Sequence, residues 1–187
     1  MGNSVILKII MYPGFLFFLI FFVLLIPTIY AAVIGAPPAP THKSRIKQII
    51  KIAKIQPSDK FYELGSGTGR VMIEVARKTG AEVIGFELSP IFYFITLFNL
   101  KLHGIKRFKL FFGNFLRADF KKADVVFCFL MPNTMDRLRK KFKQELRPGT
   151  RIISYIFEIK NWIPYAVIKD NKKPPVYFYK IETTRRT

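Results

Sequence analysis

From residue 60 onward, short apolar runs alternate with segments whose apolar residues recur every three or four positions. The runs at 60–64 (KFYEL), 81–87 (AEVIGFE), 107–112 (RFKLFF), 124–130 (DVVFCFL) and 151–157 (RIISYIF) have the length and the β-branched or aromatic content of buried strands. Between them, residues 70–80 carry Val71, Ile73, Val75 and Ala76 and stop at Gly80. Ser89-Pro90 offers an N-cap and a first-turn proline to a helix that runs to His103 and ends at Gly104. Residues 133–147 place Met135, Leu138, Phe142 and Leu146 on one helical face. Two further strands are predicted at 165–170 and 175–181, joined by the turn-forming DNKKPP. Regular alternation of strand and helix predicts a doubly wound α/β sheet of seven strands with helices on both faces.

The pattern is different upstream. Residues 9–34 contain no charge, and as a helix they would reach roughly 39 Å, more than the ~30 Å hydrocarbon core of a bilayer. Pro13 and Pro27 lie near the ends of the run, and Tyr12 and Tyr30 stand where interfacial aromatics belong. One retained transmembrane helix is expected. The competing reading is a cleaved signal ending near Ala31-Ala32 or Gly35-Ala36, for which the apolar stretch is long and the amino end weakly charged. After a GAPPAP connector, THKSRIKQIIKIAKI puts Ile46, Ile49, Ile50 and Ala53 on one side of a helix. Lys43, Lys47, Lys51 and Lys54 fall on another, facing anionic headgroups or simply water. The expected organisation is a span and connector over 1–38 and one catalytic-sized domain over 39–187.

Charge sharpens this picture. The 187-residue chain carries a net charge of +19, and Lys8 is the only charged residue before Thr41, leaving +18 to the domain. Basic residues downstream of the span place the domain on the cytoplasmic side by the positive-inside rule. Such a surface seeks anionic partners, a membrane surface first among them. Nucleic acid is not the expected partner, because no base-flipping motif or added RNA-binding module is present. Cys128 is the single cysteine, a buried small hydrophobe within VVFCFL, and no Cys/His cluster has metal-ligand spacing, so no metal is expected.

Candidate chemistry collects at the ends of the first three strands. ELGSGTGR, with Glu63, Gly65, Ser66, Gly67, Thr68 and Gly69, follows the first strand and opens the first helix. Alternating glycines there let the backbone turn tightly and a ligand approach. Glu87 ends the second strand, where a carboxylate can accept from both hydroxyls of a ribose. Asn114 and Phe115 follow the third strand, the first able to accept from an adenine amino group and the second to cover the ring. A phosphate loop would require a lysine after the last glycine, and the dinucleotide fingerprint would require glycine where Arg70 stands.

An acidic residue followed by glycines at alternating positions resembles motif one of class I methyltransferases, which implies S-adenosyl-L-methionine as cofactor and a Rossmann-like seven-stranded sheet. From about residue 39 to 181 the chain resembles a narrower group, the membrane-anchored protein-lysine methyltransferases related to the ATP synthase c-subunit lysine methyltransferase. The shared features are the apolar N-terminal segment, the proline-containing connector, ELGSGTGR, GFELSP, FLMPNTMDRLRKKFKQEL and the Asn161–Pro164 run NWIP. Thr68 and Asn114 stand where that group has aspartates. The resemblance implies a membrane-anchored protein-lysine N-methyltransferase acting on a membrane-associated protein. A lipid or hydrophobic small-molecule methyltransferase and a non-enzymatic cofactor-binding membrane protein are the alternatives. No general base is visible. Phe129, Leu130, Met131 and Pro132, after the fourth strand, are the candidate walls of a channel for the methyl acceptor. The helix IFYFITLFNLKL is apolar almost all round, which predicts either burial under neighbouring elements or a face turned to lipid.

Overall fold

In a computed structural model, residues 13–34 and 41–182 are described, with the side chains of the first helix covered from 14 to 30. The expected span at residues 9–12, the GAPPAP connector and the tail from 183 onward lie outside the described residues. In order, the elements are α1 (Pro13–Ile34), α2 (Lys43–Ala53), β1 (Lys60–Leu64), α3 (Arg70–Thr79), β2 (Glu82–Glu87), α4 (Pro90–Leu102), β3 (Phe108–Phe112), β4 (Val125–Cys128), α5 (Pro132–Glu145), β5 (Arg151–Tyr155), β6 (Ala166–Asp170) and β7 (Lys173–Lys180). A 3₁₀ turn, Phe115–Arg117, stands between β3 and β4.

The seven strands form one sheet in the order β3-β2-β1-β4-β5-β7-β6. β1 to β5 pair in parallel, and β7 inserts antiparallel between β5 and β6. Register brings the carboxyl ends of the central strands level: Leu64 lies opposite both Phe86 and Cys128, and Glu87 opposite Phe112. This is the doubly wound, Rossmann-like sheet the alternation predicts.

Two cores follow from the alternation of side chains across the strands. On one face, Phe61, Val83, Val125, Phe127 and Ile153 pack against α2, α3 and α4. On the other, Tyr62, Ile84, Val126 and Ile152 meet Met135, Leu138 and Phe142 of α5. The second face has no full helix after β3. Phe115 and Phe120 cover it instead, and Phe120 is fixed by its N–H donating to the Glu145 carboxylate at 3.0 Å.

α2 belongs to this core. Ile46, Ile49 and Ala53 are buried while Lys43, Lys47, Lys51 and Lys54 are exposed, so one helix has both faces the pattern predicts. Two arginines pin it. Arg151 donates to the Ala53 and Lys54 carbonyls at its carboxyl end and pairs with Asp59 at 2.7 Å. Arg45 is 0% exposed and donates to the Lys173 and Pro174 carbonyls at 2.9 and 3.1 Å and to Gln48, while pairing with Asp170 at 2.8 Å. These bonds explain why β7 starts at Lys173, through two prolines expected in a turn. The carbonyls of residues 173 and 174 are taken by Arg45, and the carbonyl of Pro175 accepts from the Ile156 N–H at 2.9 Å.

The expected span is not established by the fold. Among the described residues no helix is long and apolar enough to cross a membrane. The apolar face of α4 is not buried either: Phe94 and Phe98 remain 64% and 65% exposed.

Replacing Arg45 by Met keeps the stem but strands two half-buried carbonyls, and is expected to cost about 2–4 kcal/mol in denaturant unfolding. Asp170→Asn, at the exposed end of the same contact, should cost distinctly less. Equal losses, or none for Arg45→Met, would contradict this account of the α2–β7 junction.

Candidate cofactor site

The glycine turn is held by bonds from three directions. From β2, the Phe86 carbonyl accepts from both the Gly65 and the Ser66 N–H at 3.0 Å. Within the turn, the Gly69 N–H donates to the Ser66 carbonyl at 2.8 Å. From α4, the Thr96 hydroxyl donates to the Gly67 carbonyl at 2.6 Å and the Asn99 amide to the Thr68 carbonyl at 2.9 Å. Gly67 and Gly69 take φ of +55° and +76°, where a side chain is disfavoured. At Gly69 the reason is also steric, since a Cβ would lie 3.0 Å from the Thr96 methyl. Over Gly65 and Gly67 nothing lies within 4 Å of where a Cβ would point. The turn therefore presents bare backbone to open space.

Glu87 is the other half of the construction. It is 6% exposed, and its carboxylate accepts from the Gly67 N–H at 2.8 Å and from the Leu88 and Ser89 N–H groups at 2.9 Å each. Burial raises its pKa, and the three N–H donors oppose that rise. Of roughly four acceptor positions on a carboxylate, these bonds fill three. The expected grip on two hydroxyls is thus narrowed to one open position, on the oxygen facing Gly67.

Glu63 is 4% exposed and accepts from the Met72 N–H at 3.1 Å. Desolvation pushes its carboxyl well above the usual range, and Glu87 adds to the rise. Among the described residues, neither glutamate takes part in an ion pair. Two buried acidic groups without a cation partner thus flank the glycine turn, inside a chain of net charge +19.

The end of β3 joins the same cluster. The Gly113 N–H donates to the Glu87 carbonyl at 2.8 Å, so Asn114 and Phe115 emerge beside Glu87. Asn114 caps the 3₁₀ turn, its Oδ1 accepting from the Leu116 N–H at 2.9 Å. Phe115 is buried with the second core. An open cleft of about 720 Å³ runs from Leu88 and Asn114 down the uncovered sheet face to Phe86 and Phe111, and Tyr30 of α1 lines its other side. Ser66 is buried and Thr68 exposed in the turn.

The four residues after β4 divide. Leu130 is buried in the second core. Phe129 stands edge-on to Tyr155 at 5.2 Å, and Met131 and Pro132 are exposed at the start of α5. Burial raises the Cys128 thiol, consistent with a packing role. Among the described residues no group of three or more metal-ligating side chains occurs.

Sequence reasoning missed Thr96, Asn99, Thr28 and Tyr30. Thr96 and Asn99 left a usable signal: two polar residues three apart in an otherwise apolar helix mark a single face with a polar task. Thr28 and Tyr30 left none, because their partners are about sixty residues or more away in the chain.

Residues 63–166 match the family model described as ANTKMT methyltransferase domain. A protein-lysine N-methyltransferase of Saccharolobus islandicus (strain REY15A) is 35% identical over 150 residues, which cover 78% of this chain and 93% of that protein. The ATP synthase c-subunit lysine N-methyltransferase of Xenopus laevis is 29% identical over 68% of this chain, which spans 56% of that relative's length. An RNA methyltransferase from Salinibacter ruber, solved in complex with S-adenosyl-L-homocysteine, superposes with a TM-score of 0.74 at 30% identity over 77% of this chain and 94% of that one.

The raised Glu63 pKa has a definite sign. A carboxyl that holds its proton more tightly when folded favours folding at low pH. That advantage is lost as pH climbs from the ordinary range, about 4.3, through the raised folded value. Glu63→Gln keeps an acceptor for the Met72 N–H and removes the charge. Thermal melts of the ligand-free protein at pH 7–8 should therefore rise by about 2–4 °C, with the two proteins converging below about pH 4. A lower melting temperature for the variant at neutral pH would contradict this.

Proposed function

Because the chain belongs to the ANTKMT methyltransferase domain family and is an S-adenosylmethionine-dependent methyltransferase, we propose that it methylates the ε-amine of a lysine in a membrane-associated protein. The observation that carries the proposal is the clamp of the glycine turn between the Glu87 carboxylate and α4, at the level ends of β1 and β2.

The residues present fit the cofactor. Bare backbone at Gly65 and Gly67 leaves room for its amino-acid end, with Ser66, Thr68 and Gly69 completing the turn. The acidic groups of Glu63 and Glu87 lie where a molecule bearing an ammonium and a sulfonium would sit, and such a cation favours their ionised forms. Glu87 keeps one acceptor position for a ribose hydroxyl, and Asn114 and Phe115 bound the adenine end. When bound, S-adenosylmethionine supplies an activated methyl group for in-line displacement.

The protein's own task is then to orient the acceptor and keep water out. A free lysine titrates near 10.4, so its amine must lose a proton before it can attack. Phe129, Met131 and Pro132, at the end of β4, form an apolar approach that favours the neutral amine by desolvation. That preference needs no dedicated base beside it. The lysine assignment is supported by the lysine N-methyltransferase activity for which the Saccharolobus and Xenopus relatives are named.

Membrane anchoring through the apolar N-terminal segment, with the domain on the cytoplasmic side, belongs to the same proposal. It is supported by the exposed apolar side chains of α1 from Phe15 to Tyr30, by exposed Phe94 and Phe98 on α4, and by the lysines of α2. A membrane-held enzyme meets membrane-held substrates at high effective concentration.

Incubating the full chain with membranes and methyl-labelled S-adenosylmethionine, then separating protein, lipid and RNA, tests the proposal. Label should appear in protein as methyl-lysine and fall about tenfold or more with Gly67→Val, which forces a β-branched side chain into the left-handed region. Label confined to RNA or lipid would overturn the lysine assignment.

A further inference from the structure

α1 does not merely precede the domain; its carboxyl end reaches the cofactor site. The Thr28 hydroxyl lies 2.8 Å from the Ser89 hydroxyl. Thr28 has one proton, and it is given to the Leu24 carbonyl at 2.7 Å within α1. Ser89 is therefore the donor to Thr28, while its oxygen accepts from the Phe92 N–H and caps α4. The Ser89 N–H donates in turn to Glu87, whose other oxygen accepts from Gly67. Four residues thus connect an apolar N-terminal helix to the glycine turn through consecutive hydrogen bonds.

Two positions beyond Thr28, Tyr30 lines the cleft opposite Leu88, Phe112 and Asn114. Those three residues belong to the ends of β2 and β3, beside the Glu87 carboxylate. The domain itself supplies the floor of this cleft but no helix over it, because only a short 3₁₀ turn follows β3. An aromatic ring on that open side is suited to the flat, polarisable face of a purine.

We infer that α1 completes the nucleoside end of the cofactor site: Tyr30 stands against the adenine, and Thr28 holds the helix there through Ser89. Tyr30 is a cofactor-binding residue, and Thr28 is a positioning residue. This rests on the cofactor placement proposed above. It makes the apolar helix a part of the site, so the seating of that helix and the affinity for the cofactor are linked.

The test is equilibrium binding of S-adenosyl-L-homocysteine and of 5′-methylthioadenosine to the full chain in detergent micelles. Tyr30→Ala should weaken both ligands by about tenfold, since both carry the adenine, and Tyr30→Phe should stay near the parent. Thr28→Val should weaken both by about threefold, the loss of one modest hydrogen bond. Phe17→Ala, an exposed change elsewhere on α1, should leave both unchanged. Glu87→Ala serves as the control for the cofactor site itself. Loss of binding in Glu87→Ala with Tyr30→Ala within twofold of the parent would overturn the role of α1 and leave the cofactor site standing. Failure of the parent to bind either ligand would overturn both.

Discussion

A single carboxylate organises the functional end of this molecule. Glu87 closes β2 with its side chain buried and accepts three backbone N–H groups, one from the glycine turn and two from the chain entering α4. Its own carbonyl accepts from Gly113 at the end of β3. The ends of three strands and the start of one helix are thereby fixed to one residue. A charged acceptor makes each bond stronger than a neutral one would, and it offsets the cost of burying the charge. That acceptor holds the Gly67 N–H while Thr96 of α4 holds its carbonyl, so the left-handed residue over open space is fixed from both sides.

The second consequence is electrostatic. The chain is strongly basic, yet the site holds two buried glutamates and no paired cation among the described residues. The basic surface is carried largely by exposed lysines such as those of α2, whereas the interior of the site is acidic. A cationic cofactor and an anionic surrounding surface are thus served by different parts of the same fold. The family membership, the solved relative with S-adenosyl-L-homocysteine and the acidic site agree on that cofactor.

Much of the sheet could be read directly from residue pattern. KFYEL, AEVIGFE and RIISYIF are predominantly apolar because strands buried on both faces have little polar side, and the structure places β1, β2 and β5 there. The glycine turn and Glu87 could also be read, since glycines after a strand and an acid at the next strand end have few purely structural uses. What was hidden depends on distance along the chain. The start of β7 crosses two prolines because Arg45, about 130 residues earlier, takes the Lys173 and Pro174 carbonyls. Leu130, just past β4, is buried in the second core with Met135 and Leu138 of α5. Phe94 and Phe98 of α4 stay exposed, which a count of apolar residues in one helix does not reveal. Glu87 reads in the sequence as a carboxylate free to hold two hydroxyls, because the backbone N–H groups that occupy it have no letter there.

The central claim is that the Glu87 carboxylate holds the glycine turn in its binding-ready shape. Amide hydrogen exchange at Gly67, measured in the ligand-free protein with and without Glu87→Ala, tests it most directly. The account predicts protection of the Gly67 amide in the parent and exchange about tenfold or more faster in the variant, with the amides of β1 unchanged. Equal exchange at Gly67 in the two proteins would contradict it.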